Sequence, residues 1–126
     1  MRKGHLRYGA AAEGKAAEYL LRNGYELITR NYRCRLGEID IIARDGDTIC
    51  FIEVKARVSQ AQGLPQEAVG DRKQRQISKA ALVFLKENKL LEHKARFDVV
   101  SIDGGLGDTR IGLIKNAFEL DPGFTI

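Results

Sequence analysis

An acidic residue followed two positions later by a lysine is the first chemical signal in this sequence. The pattern occurs five times, at Glu13-Lys15, Glu53-Lys55, Asp71-Lys73, Glu87-Lys89 and Glu92-Lys94. Four of these pairs fall in segments with helical periodicity or at their edges, where residues two apart do not share a face. Only Glu53-Val54-Lys55 lies in a predicted strand, where alternation places both charged groups on one side of a sheet.

Two adjacent strands, Glu38 to Arg44 and Ile49 to Arg57, are predicted to form a hairpin around Asp45-Gly46-Asp47. We expect Arg44 to pair with Ile49, because a slip of one residue would bury charge. One face of this hairpin is then apolar or small throughout and carries Ile39, Ile41, Ala43, Cys50, Ile52, Val54 and Ala56. The other face carries Glu38, Asp40, Ile42, Arg44, Ile49, Phe51, Glu53, Lys55 and Arg57.

In this register Asp40 stands opposite Glu53, and Glu38 stands opposite Lys55. Opposed Cβ atoms lie ~4.5–5.5 Å apart, and two carboxylates this close repel by ~4 kcal/mol at an effective dielectric constant of 20. Lys55 and Arg57 offer one form of compensation. A bound divalent cation offers another, since Mg²⁺ is held by one or two carboxylates together with water and phosphate.

A solvated face with cross-strand ion pairs is the competing interpretation. It accounts well for Glu38 and Lys55. It accounts poorly for Ile42, Ile49 and Phe51, whose presence on the same face indicates that part of this face is covered.

Two further charged residues lie on otherwise apolar helix stripes. Glu13 shares its stripe with Ala16, Ala17 and Leu20, and Lys73 leads into the stripe of Ile77, Ala80 and Phe84. Each side chain either points toward the site or extends past the core into water. For Glu13 a favourable interaction with the helix dipole is also sufficient.

The elements that must position these residues alternate between the helical period and the strand period. Helices are predicted over Ala10 to Asn23, ended by Gly24, and over Gln66 to about Asn88, with Gly70 as a break point in its first turn. Further strands are predicted over Tyr25 to Tyr32, Phe97 to Ile102 and Arg110 to Ile114. Val58 to Pro65 is predicted as a polar loop, and Gly104 to Gly107 as a turn without the lysine of a phosphate loop.

The order helix, three strands, helix, strand, strand predicts an α/β or α+β fold. The second helix would be the crossover to a parallel strand, with helices on both faces of one mixed sheet.

Composition limits the classes of protein that need consideration. A chain of 126 residues with 44% hydrophobic and 30% charged residues is expected to form one soluble domain over residues 1–126. The start Met-Arg-Lys-Gly-His has no apolar stretch behind it, and the apolar run Ala80 to Leu85 is far below the ~18 residues of a membrane span. We therefore expect a cytoplasmic protein with no membrane partner.

Cys34 and Cys50 show no ligand-like spacing and are expected to be reduced thiols. The net charge of +4 favours a polyanionic partner only mildly.

Several of these features together resemble the bacterial YraN family, whose members are predicted to be endonuclease-like. The resemblance runs from about Gly9 to Phe118, and no single piece of it is specific alone. It is carried by Glu13, Gly37-Glu38-Ile39-Asp40, Phe51-Ile52-Glu53-Val54-Lys55-Ala56-Arg57, Lys73, Arg96-Phe97-Asp98-Val99-Val100 and Asn116-Ala117-Phe118. That family in turn resembles the PD-(D/E)xK nucleases, which include restriction enzymes and archaeal Holliday-junction resolvases. Their restriction-endonuclease-like core has a helix, three strands, a helix and a strand.

The resemblance implies a metal-dependent endonuclease that hydrolyses DNA. Asp40 would be the motif aspartate, Glu53 the second acid and Lys55 the catalytic lysine, with Ile39 where the motif name has proline. Glu13 would add a helix acid to a Mg²⁺ or Mn²⁺ site formed with Asp40 and Glu53. Phosphate contacts are expected from Arg57, Arg72, Lys73 and Arg75.

The implied substrates include branched DNA and repair intermediates, and a homodimer is consistent with junction-resolving relatives, which act as symmetric pairs. Two alternatives stay open at this point. One is a non-catalytic DNA-binding or repair-accessory domain that keeps the fold, and the other is a structural protein whose acidic face is a salt-bridge lattice.

Overall fold

The computed structural model describes residues 2–57, 69–104 and 109–119, and of residues 2–10 it describes the backbone. Within these ranges the elements follow the predicted order of one helix, three strands, a second helix and two strands. They are α1 (Arg2–Arg22), β1 (Glu26–Cys34), β2 (Gly37–Asp45), β3 (Thr48–Arg57), α2 (Asp71–Glu87), β4 (Ala95–Asp103) and β5 (Arg110–Phe118).

The strands form one mixed sheet in the order β1-β2-β3-β4-β5. Neighbouring strands are antiparallel except for β3 and β4, which are parallel. A parallel pair needs a long crossover connection, and α2 lies in the segment between β3 and β4. The predicted α+β class and the crossover role of the second helix are both confirmed.

Each face of the sheet is covered by one helix. On one side α1 packs against the sheet through Ala12, Ala16, Ala17 and Leu20, and on the other α2 packs through Ile77, Ala80, Ala81, Phe84 and Leu85. They include the predicted stripe residues Ala16, Ala17 and Leu20 of α1 and Ile77, Ala80, Ala81 and Phe84 of α2. Leu21, which was also expected on the stripe of α1, is exposed. Neither helix in the described part of the chain combines the length and apolarity needed to cross a bilayer.

Element ends differ from the predicted ones where the local sequence is polar or glycine-rich. Helix α1 begins at Arg2 and ends as expected before Gly24, whose φ of 86° gives a left-handed cap. Helix α2 begins only at Asp71, because the extended Gly70 is its N-cap. Strand β5 continues through the polar Lys115-Asn116 to Phe118. The predicted loop over 58–65 lies outside the described residues, as do 105–107 of the predicted glycine turn.

The hairpin of β2 and β3 has the predicted register, with Arg44 opposite Ile49. The predicted partition of its faces is wrong at Ile39, however. Ile41 and Ile52 pack on the α1 side as expected, whereas Ile39 packs on the α2 side. Residues two apart in a regular strand share a face, so β2 changes faces at Asp40.

A polar network around β4 ties this strand to β2, to β5 and to Tyr25, which precedes β1. The carboxylate of Asp98 is fully buried and accepts hydrogen bonds from Arg96 Nε (2.9 Å), Tyr25 Oη (3.1 Å) and the backbone N–H of Asn116 (2.9 Å). Arg96 also donates to Asp45 Oδ2 at 2.8 Å. Because every partner is satisfied within the network, these motif residues hold the strands together.

Candidate active site

Asp40 and Glu53 lie together at the point where the pairing of β2 and β3 ends. Within the described residues that pairing runs from Asp45 opposite Thr48 to Ile41 opposite Ile52. One step further, Asp40 Oδ2 accepts a hydrogen bond from the backbone N–H of Val54 at 2.9 Å. The predicted juxtaposition of Asp40 and Glu53 therefore exists, but it follows the last regular pair of the ladder.

Glu53 is buried, with 6% of its surface exposed. Its Oε1 lies 3.8 Å from Lys55 Nζ and 3.9 Å from Lys73 Nζ, while its Oε2 has no hydrogen-bond partner among the described residues. Burial, and next the charge of Asp40, raise the pKa of Glu53 to about 8, against the lowering effect of the two lysines. Such a buried carboxylate is unfavourable when ionised unless a further cation is supplied.

The two lysines come from different elements and converge on one oxygen atom. Lys55 follows Glu53 on β3, and Lys73 comes from the first turn of α2. Their side chains are 28% and 32% exposed, so each reaches Glu53 from a partly open surface. Of the two placements that the sequence left open for Lys73, the structure shows the one toward the acidic pair, at Glu53.

Glu13 reaches the site from the opposite face of the sheet, on α1. Its pKa is raised, first by burial and then by the charge of Asp40. Because α1 begins at Arg2, Glu13 lies about three turns inside the helix. The helix dipole acts only within the first turn, so it does not account for this position.

Glu38 is placed differently from the prediction. It was expected opposite Lys55, but its carboxylate lies 3.4 Å from Arg33 Nε, on an exposed surface. The change of face at Asp40 explains the position of Glu38. Regular alternation would place Glu38 on the same face as Asp40 and Lys55, but the residues before Asp40 have exchanged faces.

The four expected phosphate ligands separate into two groups. Arg72 and Arg75 are exposed on the first turns of α2, next to Lys73. Arg57 is buried, and its guanidinium donates to both carboxylate oxygens of Asp103, at 2.7 and 2.9 Å. This ion pair lowers the pKa of Asp103. The expected phosphate contact of Arg57 does not fit this placement, because the guanidinium faces a buried carboxylate.

Asn31 belongs to the same region, although the sequence did not single it out. Its carboxamide nitrogen faces Glu13, 2.9 Å from Oε1 and 3.3 Å from Oε2, since the opposite amide orientation would bring only acceptors together. Asparagine is depleted in strands and tolerates a left-handed backbone. That residue type in mid-strand was the signal that could have identified it.

The donors available for a metal ion are carboxylate oxygens. Among the described residues no group of three or more His, Cys, Asp and Glu side chains is placed to hold a metal ion. Mg²⁺ and Mn²⁺ can be bound by one or two carboxylates together with water and phosphate. Asp40 and Glu53 provide such a pair, and Oε2 of Glu53 accepts no hydrogen bond from the described part of the chain.

Fold and site together define an α+β domain whose mixed sheet carries an acidic pair, one member of it buried, where two of its strands separate. The chain belongs to the uncharacterised protein family UPF0102, whose model matches residues 12–102, and this is the YraN family that the sequence resembles.

Relatives carrying the UPF0102 name cover nearly the whole chain. The protein from Syntrophus aciditrophicus is 55% identical over 119 residues, which are 94% of each chain. The protein from Geobacter metallireducens is 54% identical over 112 residues, 89% of this chain and 92% of that one. A more distant relative from Caldicellulosiruptor saccharolyticus is 46% identical over 112 residues, 87% and 95% of the two chains.

Proposed function

We propose that this protein is a divalent-metal-dependent endonuclease that hydrolyses DNA phosphodiester bonds. The observation that carries the proposal is Glu53. It is a buried carboxylate beside a second carboxylate, with one oxygen facing two lysines and the other without a hydrogen-bond donor among the described residues. Perturbed acids of this kind cluster at functional sites.

Asp40 and Glu53 would hold the ion, with Glu13 as a third acid on the α1 side. A bound Mg²⁺ or Mn²⁺ would polarise the scissile phosphate and lower the pKa of a water molecule. Asp40 is anchored for this role, because one of its oxygens is held by the N–H of Val54.

Lys55 is the group best placed to act on the reacting phosphate. Its ammonium lies at the edge of the acidic pair and is partly exposed, so it can contact a substrate oxygen while one face stays near Glu53. A fixed positive charge there would stabilise the charge that develops on the phosphate oxygens in the transition state.

Substrate binding would come from the exposed start of α2. Arg72 and Arg75 lie on either side of Lys73 in the sequence and are exposed, so they can contact backbone phosphates, which position a duplex without reading its sequence. Arg57 is left out of this surface because of its pairing with Asp103.

A non-catalytic DNA-binding domain with the same fold is the alternative, and one experiment separates the two. Purified protein is incubated with supercoiled, single-stranded, flapped and four-way-junction DNA in Mn²⁺, in Mg²⁺ and in EDTA. We expect metal-dependent nicking by the wild type and none by Asp40→Asn or Glu53→Gln, whereas Glu92→Gln, an exposed acid outside the site, cuts normally.

Equal behaviour of wild type and Asp40→Asn on every substrate would overturn the catalytic proposal. Binding that weakens steeply with salt would then support the DNA-binding alternative. The branched substrates in the panel also test the preference for junctions or repair intermediates that the resemblance implies.

A further inference from the structure

The strand β1 changes phase at Asn31. Leu27 and Thr29 are partly buried, Arg30 and Asn31 are both exposed, and burial resumes at Tyr32. Arg30 pairs with Ile41, which packs on the α1 side of the sheet, whereas Tyr32 pairs with Ile39, which packs on the α2 side. Residues two apart in a regular strand share a face. The alternation of β1 therefore reverses at this residue, as that of β2 does at Asp40.

These two reversals lie opposite each other. Arg30 pairs with Ile41 and Tyr32 pairs with Ile39, so Asn31 falls between the two pairs, across from Asp40. The φ of Asn31 is 55°, in the left-handed region that asparagine tolerates better than most residues. The backbone irregularity is thus located directly beside the acidic site.

The side chain of Asn31 uses this conformation to reach α1. Its carboxamide nitrogen lies 2.9 Å from Glu13 Oε1 and 3.3 Å from Oε2, so it donates to a carboxylate whose own helix lies across the sheet face. A hydrogen bond that fixes a carboxylate also fixes the direction of its remaining lone pairs.

We propose that Asn31 is a positioning residue of the acidic site, which holds the Glu13 carboxylate on the Asp40 side of the sheet so that Glu13 can serve as a ligand of the ion through a bound water molecule. This inference rests on the proposed function. Asn31 itself contacts neither ion nor substrate and acts through Glu13.

A purely structural role for Asn31 makes a different prediction. If only its left-handed backbone mattered, glycine would replace it without loss, because glycine adopts a positive φ freely. The substitution Asn31→Gly therefore keeps the backbone and removes the amide. Asn116→Gly is a matched control, since Asn116 has a φ of 54° on β5 and donates its backbone N–H, which glycine retains, to Asp98.

The experiment measures Mn²⁺ binding by electron paramagnetic resonance, with melting temperature in metal-free buffer and plasmid nicking on the same samples. We expect Asn31→Gly to melt within a few degrees of the wild type but to bind Mn²⁺ about 10- to 100-fold more weakly, as when the partner of a metal ligand is removed. Asn116→Gly should bind Mn²⁺ like the wild type. Adding Asn31→Gly to Glu13→Gln should weaken binding no further, because both changes remove the same ligand.

The outcomes distinguish this inference from the proposed function. If the wild type binds Mn²⁺ and cuts DNA, and Asn31→Gly binds Mn²⁺ with the same affinity as the wild type, the proposed role of Asn31 is overturned. The endonuclease proposal then stays intact. A fully additive loss in the double variant would show that Asn31 does not act through Glu13. A wild type that neither binds Mn²⁺ nor cuts DNA would overturn both.

Discussion

The carboxylate of Asp40 accepts a hydrogen bond from the backbone N–H of Val54, at 2.9 Å. This contact begins where the backbone pairing of β2 and β3 ends, at Ile41 opposite Ile52. A side chain thus replaces the next backbone acceptor of the ladder. Because the same carboxylate interacts electrostatically with Glu53 and Glu13, Asp40 links the end of the strand pair to the acidic site.

This double role predicts different effects for two substitutions of Asp40. Asp40→Asn keeps an acceptor for the Val54 N–H and removes the charge that faces Glu53, so its stability should equal or exceed that of the wild type. Asp40→Ala leaves a partly buried N–H without its partner and should be less stable than Asp40→Asn by about 1–3 kcal/mol. Urea denaturation of the metal-free proteins measures the difference, and equal stabilities would show that the hydrogen bond contributes nothing.

The raised pKa of Glu53 predicts that the metal-free protein loses stability as pH rises. Burial and the charge of Asp40 raise this pKa from 4.5 to about 8, so between these values the folded state binds a proton that the unfolded chain has released. The free energy of unfolding should then fall from about pH 5 to about pH 8, by at most about 1.4 kcal/mol per pH unit from this group. Denaturation midpoints across this range measure the slope.

Two comparisons assign this slope to Glu53. Glu53→Gln should remove most of the slope of unfolding free energy against pH. A smaller slope of the same sign should remain from Glu13, whose pKa is also raised. The exposed Glu92→Gln should leave the wild-type slope unchanged. Since a metal ligand must be deprotonated, Mn²⁺ should stabilise the wild type more at pH 8 than at pH 6. A Glu53→Gln protein with the wild-type slope would contradict the assignment.

Much of this site could be predicted from alternation along the strands. The pairing of Arg44 with Ile49 followed from keeping charge out of the apolar face, and it brought Asp40 next to Glu53. The stripes of both helices were equally direct, and the apolar stripe of α2 already indicated that Lys73 was oddly placed. Periodicity is informative where one face is fully buried.

The wrong predictions concern residues at which the alternation of a strand breaks or at which the partner is distant in the chain. Ile39 was assigned to the wrong face because the reversals at Asn31 and Asp40 depend on one left-handed residue and one side-chain hydrogen bond. Arg57 was expected to be exposed because its partner Asp103 lies 46 residues away in the chain. Local patterns do not report such long-range pairings.

Gly37 is predicted to set the distance between α2 and the start of β2. A Cβ added there would lie 2.8 Å from the backbone oxygen of Gln76, which belongs to the rigid helix. The residue has no positive φ to require glycine, so the requirement is one of space. Gly37→Ala should cost about 1–3 kcal/mol by overpacking. It should also weaken nicking, because Gln76 lies on the same helix as Lys73.

Gly14→Ala is the matched control for this change. An added Cβ at Gly14 meets nothing within 4 Å, and the residue lies inside α1. Replacing a helical glycine with alanine should stabilise the fold by up to about 1 kcal/mol. If the two alanine variants showed the same change in unfolding free energy, the close approach of Gly37 to α2 would not be limiting.

The two lysines at Glu53 are predicted to differ in what they control. Lys55→Ala should lower turnover by about 10²- to 10³-fold with Mn²⁺ affinity nearly unchanged, as expected for a charge that acts mainly in the transition state. Lys73 lowers the pKa of Glu53 more than Lys55 does. Lys73→Ala should therefore move the acidic limb of the pH–rate profile to higher pH, since Glu53 must lose its proton before it can act as a ligand.

Lys79→Ala is the control for a general loss of attraction to DNA, because it removes an exposed charge from the same helix. It should change only the salt dependence of binding. If all three variants lost activity equally with unshifted pH profiles, the lysines would serve DNA binding alone.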